Sequence, residues 1–335
     1  MEKKIKVLII DDSFFIRFLI SNMLNSDREI DTITAKNYEE TIKKLKLKPN
    51  VIILNIEMPG VSGLDILSQI MKKKPTPVII ISSKNKLNRK DAITAIKYGA
   101  IDVIEIPKKS KEILKLDNEL IDFVKVVSSA DVEKLVVKKP KKRFKIPERS
   151  KKIIVIGASS GGPVAIESIL TSLPREFPTP IVVLQHMPAR FTETFAKRLN
   201  KSCNIEVREA ENGDEIKPGK VLIAKGDKNL EVTTRENKKL IKLNNKPAPI
   251  KPSIDMALNS IAKVYKDKSI VLILTGMGSD GAQGIKEIKR EKGTTIVQDK
   301  NTSLIFGMPK AVIEQGCADF ILPLDKMVKK IFELI

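Results

Sequence analysis

The sequence predicts two consecutive α/β domains, each built on a parallel β-sheet that helices cover on both faces. Short runs rich in Ile and Val alternate with segments of helical period in both halves of the chain. The 335 residues are too many for one ordinary core and suit two domains of common size. A basic stretch with little amphipathic pattern separates the two halves.

The first domain, residues 1–124, alternates five strands with five helical segments. A repeated β-then-α order implies a parallel sheet, and polar groups of such sheets gather at the carboxyl ends of the strands. The predicted strands are residues 5–10, 30–35, 51–54, 78–81 and 102–106. The polar residues that follow them include Asp11, Asp12, Asn55 and Ser82.

Residues 125–151 are predicted to be a basic linker. From Lys125 to Lys152 the chain holds eleven Lys or Arg against three acidic residues, with prolines at Pro140 and Pro147. The first part of this stretch is a possible extension of the last helix of the first domain. A nucleic-acid-binding arm is the functional alternative to a solvated linker.

The second domain, residues 152–335, repeats the alternating architecture without a sequence repeat. A β-rich insert with turn signals is predicted at 220–243. The predicted strands are 153–156, 181–184, 205–207, 270–274 and 294–297, and the predicted helices are 164–170, 192–199, 254–264 and 282–290.

Composition excludes several classes of protein. No apolar run approaches the roughly 20 residues that span a bilayer, which predicts a cytoplasmic protein without a membrane span. Cys203 and Cys317 lie far apart, so neither a disulfide framework nor a zinc site is expected. The net charge of +20 favours an acidic partner, or reflects a Lys-rich composition alone. The absence of Trp and the three Tyr argue against base-stacking platforms and make nucleic acid an improbable ligand.

The strongest chemical signal is IGASSGGP, residues 156–163, which joins an apolar strand to a helix. It contains G-x-S-x-G, with Ser159 at its centre. A serine on such a bend is exposed near a helix N-terminus, and the glycines permit the tight backbone. The competing interpretation is a phosphate-binding loop. The dinucleotide pattern G-x-G-x-x-G is not met, because Ser159 stands in place of its second glycine.

A serine nucleophile needs a base and a group that orients the base. The chain has one histidine, His186, directly after a predicted strand. Asp280, in LTGMGSDGAQG, is the predicted orienting carboxylate, although it is equally suited to cap the helix that begins near Gly281. Backbone N–H groups in this loop or beside Ser159 are candidates for an oxyanion hole.

GASSGG, QHMP and LTGMGSDGA resemble the catalytic motifs of the chemotaxis protein-glutamate methylesterases, the CheB family. KPSIDM is similar to the segment that lines the family's active site, and TSLIFGMPKAV to a further family block. The resemblance covers nearly the whole chain. It implies a flavodoxin-like (βα)5 receiver domain followed by a doubly wound methylesterase domain.

The resemblance implies that Ser159 is the nucleophile, His186 the general acid–base and Asp280 its orienting carboxylate. The expected substrates are glutamate γ-methyl esters on chemoreceptors, with methanol released and no cofactor required, and receptor glutamines are possible substrates for deamidation. The chemotaxis histidine kinase is a possible partner of the receiver-like domain. Further candidates for oxyanion or substrate contacts are Ser160, Gly161, Thr275, Met277 and Gly278.

The first domain departs from the receiver pattern at two positions. Asn55 stands where a working receiver carries the phosphoacceptor aspartate, and Ile106 stands where a lysine is expected before the proline. An amide is a poorer nucleophile than a carboxylate, and the lost charge weakens any Mg²⁺ site at Asp11 and Asp12. The departures predict a pseudo-receiver. Ser82, Ser83 and Tyr98 correspond to the family's switch positions.

Three alternative functions remain at this point. A DNA-binding response regulator would explain the basic linker, but no helix-turn-helix signature follows it. A nucleotide-binding domain would place an acidic residue after the second strand, where this chain has Gln185 and His186. A pseudoenzyme adaptor is disfavoured because all three predicted catalytic residues are present.

Overall fold

The computed structural model describes residues 4–83, 89–106, 117–132 and 150–335. It divides into two compact units, Met1–Leu135 and Val136–Ile335. Within the described residues, no helix is both long and apolar enough to span a membrane.

The first unit holds a five-stranded sheet of order β2-β1-β3-β4-β5, in which every paired strand is parallel. The residues of β1 from Val7 to Ile10 and those of β3 from Val51 to Leu54 are fully buried, as expected for a sheet covered on both faces. The strands are β1 Ile5–Ile10, β2 Ile30–Ala35, β3 Val51–Asn55, β4 Val78–Ser83 and β5 Asp102–Ile106. The helices are α1 Phe14–Asn25, α2 Tyr38–Leu45, α3 Gly63–Lys73, α4 Arg89–Lys97 and α5 Asp117–Ser128.

Helix α5 ends at Ser128, so the first four residues of the predicted linker are helical. Residues 133–149, most of that linker, lie outside the described residues. The boundary between the compact units falls between Leu135 and Val136, inside the same stretch.

The second unit is built on a seven-stranded parallel sheet of order β14-β13-β12-β6-β7-β9-β8. Helices α8 and α9 pack on it through apolar residues such as Ile261 and Ile288. The strands are β6 Ile153–Ala158, β7 Ile181–Gln185, β8 Glu206–Glu209, β9 Lys220–Ile223, β10 Asn229–Arg235, β11 Lys238–Asn244, β12 Ser269–Ile273, β13 Thr294–Gln298 and β14 Phe320–Leu322. The helices are α6 Gly162–Leu170, α7 Ala189–Ser202, α8 Ile254–Tyr265, α9 Ala282–Arg290, α10 Met308–Glu314 and α11 Leu324–Leu334.

The predicted β-rich insert is only partly separate from the main sheet. Strand β9 pairs in parallel with β7 and β8 and therefore belongs to the central sheet. Strands β10 and β11 form an antiparallel hairpin of their own. Its two turn residues, Glu236 and Asn237, both have positive φ, as a two-residue type I′ turn requires.

Candidate active site

Three neighbouring strands bring the predicted catalytic residues to one edge of the second sheet. Strand β6 lies between β12 and β7, and Ser159 follows it directly. His186 follows β7, and Asp280 lies in the loop between β12 and α9. The strand order reverses beside β6, and such a switch point at the carboxyl edge is where open α/β sheets bind ligands.

Both backbone groups of Ser159 are hydrogen-bonded. Its N–H donates to the Thr275 carbonyl at 3.1 Å, and its own carbonyl accepts from Gly162 N–H at 2.8 Å. Gly161, at φ +77°, occupies the left-handed region and starts α6. A Cβ on Gly276 would lie 2.7 Å from the Ser159 Cβ, so only glycine lets these strand ends approach so closely.

His186 and Asp280 form a direct pair, with Nε2 2.8 Å from Oδ2. The His186 side chain is 6% exposed, and its Nδ1 is buried without a hydrogen-bond partner among the described residues. Because Nε2 faces the carboxylate and carries the proton, Nδ1 bears the lone pair that can accept one. Within the described chain no hydrogen bond joins the Ser159 hydroxyl to this ring, which is common before substrate binds.

Asp280 is surrounded by donors. Oδ2 accepts from Ile254 N–H at 2.8 Å as well as from His186, and Oδ1 accepts from Asp255 N–H at 3.0 Å and the Ser253 hydroxyl at 3.3 Å. Burial alone would raise the pKa of Asp280, but the hydrogen bonds from His186, Ile254 and Asp255 outweigh it and leave the pKa below its ordinary value. The carboxylate is therefore held as an anion against the imidazole.

The helix that Asp280 caps differs from the one expected. The sequence suggested α9, which begins near Gly281, but α9 has no side-chain cap at that position. Asp280 instead accepts the first two N–H groups of α8. The N–H of Gly284 in α9 donates to Asp255, at 2.6 Å. The start of each helix is therefore hydrogen-bonded to a carboxylate near the start of the other helix. Such tertiary contacts leave no local pattern in the sequence.

Two buried glutamines support the site and were missed in the sequence. Gln185 Nε2 donates to the carbonyls of Ser159 at 2.9 Å and His186 at 3.0 Å. Gln298 Oε1 accepts from Thr275 N–H at 2.8 Å. Each is the last residue of a strand and directly follows two or more apolar residues. A polar residue at that position is the signal that could have identified them.

The lesser candidates separate into two groups. Thr275 is 2% exposed, and its hydroxyl bonds the backbone of Ser160 and Ile305, so Thr275 supports the Ser159 turn instead of lining an open surface. Ser160 is likewise buried. Met277 is half-buried and Gly278 is exposed, so both lie at the solvent-facing rim of the candidate active site.

The first unit carries Asp11, Asp12 and Asn55 at the carboxyl edge of its sheet, and we call this group the acidic pocket. Asn55 Oδ1 accepts from Glu57 N–H at 2.9 Å, and the Asn55 side chain donates to the Asp11 carboxylate. Burial, together with the charge of Asp12, raises the pKa of Asp11 to about 6 against the hydrogen bonds from Ser13 and Asn55. Asp12 is exposed and Ile106 is buried.

This pocket does not fit a resident Mg²⁺. An amide N–H₂ points at Asp11 where a third anionic oxygen is needed, and the ion prefers an all-oxygen shell. Across the described ranges no group of three or more His, Cys, Asp or Glu side chains is placed to hold a metal. Of the predicted switch positions, Tyr98 is 44% exposed, and the side chains of Ser82 and Ser83 lie outside the described residues.

The fold and site of the second unit define a class: a parallel-sheet α/β protein with a serine turn and a His–Asp pair at one edge of the sheet. The family model for the CheB methylesterase matches residues 154–331, and the response regulator receiver domain matches residues 7–116. The chain belongs to the CheB methylesterase family.

Similar proteins span the whole chain. A protein-glutamate methylesterase/protein-glutamine glutaminase of Thermotoga maritima is 40% identical, covering 100% of this chain and 99% of its own. One of Pyrococcus horikoshii is 39% identical, with 100% and 95% covered. The crystal structure of the Thermotoga maritima CheB methylesterase catalytic domain has 46% identity and a TM-score of 0.54, covering 55% of this chain and 98% of that domain. These matches leave no place for a DNA-binding or nucleotide-binding second domain.

Proposed function

We propose that this protein hydrolyses glutamate γ-methyl esters on chemoreceptors, releasing methanol, and deamidates receptor glutamines during chemotactic adaptation. The observation that carries the proposal is the hydrogen-bonded His186–Asp280 pair beside the Ser159 turn. The relatives from Thermotoga maritima and Pyrococcus horikoshii, each a protein-glutamate methylesterase/protein-glutamine glutaminase, support the same two reactions.

The geometry supports a serine-esterase mechanism. Ser159 Oγ attacks the ester carbonyl while His186 Nδ1 takes its proton, and Asp280 stabilises the imidazolium through Nε2. The protonated imidazole then gives that proton to the leaving methoxide, and methanol departs from an acyl-enzyme. Water attacks the acyl group with His186 again as base, which regenerates Ser159. No step requires a cofactor.

Backbone amides at the rim are the candidates that stabilise the oxyanion. The N–H groups of Gly161, Met277 and Gly278 donate to no other residue in the described part of the chain. Ser159 N–H is excluded because it donates to Thr275. One such donor is worth roughly 3–4 kcal/mol in the transition state.

Methanol release from methylated chemoreceptors tests the proposed activity. We expect release by the full-length protein and none by Ser159→Ala. Release that persists in Ser159→Ala would disprove the assigned nucleophile, and absence of release from residues 151–335 as well as from the full chain would disprove the activity.

The receiver-like unit is proposed not to be controlled by phosphorylation. Asn55 offers no carboxylate, and Ile106 offers no cation to contact a phosphoryl oxygen. A radiolabelled small phosphodonor should leave the Ser159→Ala protein unlabelled, and label at this unit would contradict the proposal. Equal esterase rates for residues 151–335 and the full chain would show that the receiver-like unit does not inhibit permanently.

The proposed partners follow from the activity. Methylated chemoreceptors present glutamate-rich helices. The chain has 61 basic and 41 acidic residues, and this net positive charge suits such a surface. The chemotaxis histidine kinase is a second proposed partner, through the receiver-like unit, and the proposed compartment is the cytoplasm. Raising the ionic strength should lower receptor binding, and binding that does not change with salt would contradict the role of charge.

A further inference from the structure

Asn229, the first residue of β10, uses both ends of its side-chain amide to hold a neighbouring loop. Asn229 is fully buried. Its Oδ1 accepts from the N–H of Ser253 at 3.0 Å, and its Nδ2 donates to the carbonyl of Lys246 at 2.8 Å. One amide therefore ties both ends of the loop 246–253 to the start of a strand.

The loop 246–253 has few backbone donors with which to hold its own shape. Three of its residues, Pro247, Pro249 and Pro252, have no N–H group to donate. The bond from Ser253 to Asn229 is buried, and a buried N–H group that loses its acceptor is costly. Asn229 therefore constrains where this loop ends.

Ser253 lies at the point where the loop becomes helix α8. It is the N-cap of α8, and its hydroxyl also donates to Asp280 Oδ1 at 3.3 Å. The next two residues, Ile254 and Asp255, donate their N–H groups to the Asp280 carboxylate at 2.8 and 3.0 Å. Three successive residues at the start of α8 therefore hold the carboxylate that faces His186.

The chain just before Asn229 packs against the loop that follows His186. A Cβ on Gly226 would lie 2.4 Å from the carbonyl oxygen of Met187, so only glycine allows this approach. Met187 is the next residue after His186. This short segment therefore contacts the histidine side of the His–Asp pair at one end and the support of Asp280 at the other.

We propose that Asn229 is a positioning residue of the active site, which fixes Ser253 at the start of α8 and so holds the Asp280 carboxylate in line with the His186 imidazole. The inference rests on the proposed function, because it assigns Asn229 a role in the same site. Asn229 acts through Ser253 and the two backbone donors that follow it, so a small displacement of the loop end changes three hydrogen bonds to Asp280 at once.

The single histidine of the chain permits a direct readout beside activity. In the full-length, untagged protein the imidazole ¹⁵N resonances belong to His186 alone, and kcat and KM for methanol release are measured on the same samples. Asn229→Ala removes both hydrogen bonds of the amide. Asn229→Asp keeps an acceptor for the Ser253 N–H in a side chain of the same size and loses the amide donor to Lys246. If Asn229→Ala does not fold, Asn229→Leu takes its place with the same expectations.

Asn244→Ala is the matched control. Asn244 Oδ1 accepts from the N–H of Lys246 at 3.0 Å, so this variant also removes a side-chain bond to the loop 246–253. It leaves the bond between Asn229 and Ser253 in place. The comparison therefore separates a general loosening of the loop from the loss of its attachment beside Asp280.

We expect Asn229→Ala to lower kcat by roughly 10- to 30-fold with KM within about twofold of wild type, and to shift the His186 resonances, because Asp280 is no longer held in line. Asn229→Asp should retain at least about a third of the wild-type kcat, with His186 resonances close to those of wild type. Asn244→Ala should keep kcat within about twofold and leave the resonances unchanged. Thermal unfolding shows that each variant is folded at the assay temperature.

Two results would overturn the inference. If Asn229→Ala keeps the wild-type kcat and His186 resonances in an enzyme that Ser159→Ala abolishes, Asn229 only closes its loop. If Asn229→Asp loses as much kcat as Asn229→Ala, the effect does not pass through Ser253. A wild type that releases no methanol, but whose His186 resonances shift in Asn229→Ala and not in Asn244→Ala, would refute the proposed function and leave the positioning of the His–Asp pair by Asn229 standing.

Discussion

The two units place a buried carboxyl group at the same edge of the same kind of sheet, yet the pKa values of the two groups are shifted in opposite directions. Asp11 follows β1 and Asp280 follows β12, and burial is the largest influence on the pKa of each. The pKa of Asp280 is nevertheless lowered, whereas that of Asp11 is raised to about 6. The comparison shows that the hydrogen-bond donors around a carboxyl group of this edge, and not burial alone, decide the direction of its pKa shift.

The donors themselves come from different sources. Asp280 receives two backbone N–H groups from the start of α8 and one from an imidazole. Asp11 receives one backbone N–H, from Ser13 at 2.7 Å, and one amide from Asn55. The donors around Asp280 outweigh its burial, whereas the two donors to Asp11 do not.

The largest expected effect concerns the nucleophile. Ser159→Ala should lower the rate of methanol release by at least about 10⁴-fold, because the hydroxyl oxygen forms the acyl-enzyme bond. Steady-state release from methylated receptor membranes measures it. Ser202→Ala, at the exposed end of α7, is the control for a serine replacement and should leave the rate unchanged.

Asp280→Asn should lower kcat by about 10³- to 10⁴-fold, because a neutral amide cannot stabilise the imidazolium and its N–H₂ repels the donors around it. The thermal midpoint of the second unit should fall as well, since α8 loses an anionic cap. Asp267→Asn, on an exposed turn, is the matched control. A kcat close to wild type would remove Asp280 from the catalytic assignment.

Replacing Gln298, which supports the turn of Ser159 through Thr275, is expected to lower kcat less than replacing Ser159 or Asp280. Gln298→Leu leaves the buried Thr275 N–H without an acceptor, which costs about 1–3 kcal/mol of stability, and displaces the strand end that holds the Ser159 N–H. We expect kcat to fall roughly tenfold with KM little changed. If kcat is unaffected while stability falls, the glutamine serves the fold alone.

The smallest effect is a pH dependence of the receiver-like unit. Between an ordinary pKa of 3.8 and the folded value of about 6, folded Asp11 holds a proton that the unfolded chain has lost. The stability of this unit should therefore fall as pH rises from about 4 to 6 and then level off. Asp11→Asn should raise the thermal midpoint by a few degrees at pH 7.5 and change nothing at pH 3. Asp12→Asn, at an exposed position, should have a smaller effect, and equal shifts for both variants would contradict the assignment.

Much of the architecture follows from local patterns. The strands of both sheets were predictable because buried parallel strands are continuous runs of Ile and Val, and the motifs at their ends indicated Ser159, His186 and Asp280. Strand β14 was missed because it has three residues and its Ile321 is 50% exposed at a sheet edge. Strand β8 spans Glu206–Glu209 instead of the predicted 205–207, because Arg208 and Glu209 carry charges that a run of Ile and Val does not include.

The supporting residues of the site could not be predicted in the same way. Asp255 lies in a helix start where an acid is ordinary, so nothing in the sequence indicates that it contacts Asp280. Gln185 and Gln298 are defined by the carbonyl or N–H they bond, and those partners lie up to 26 residues away along the chain. Such roles depend on tertiary placement, which periodicity does not encode.

The β10–β11 hairpin offers a natural point at which to split the second unit. A break between Glu236 and Asn237 would leave Ser159 and His186 on one fragment, and Asp255 and Asp280 on the other. Neither fragment holds the complete site, and the seven residue pairs of the hairpin span both. Esterase activity regained on mixing would therefore report the association of the two pieces, which makes this unit a candidate scaffold for a complementation reporter.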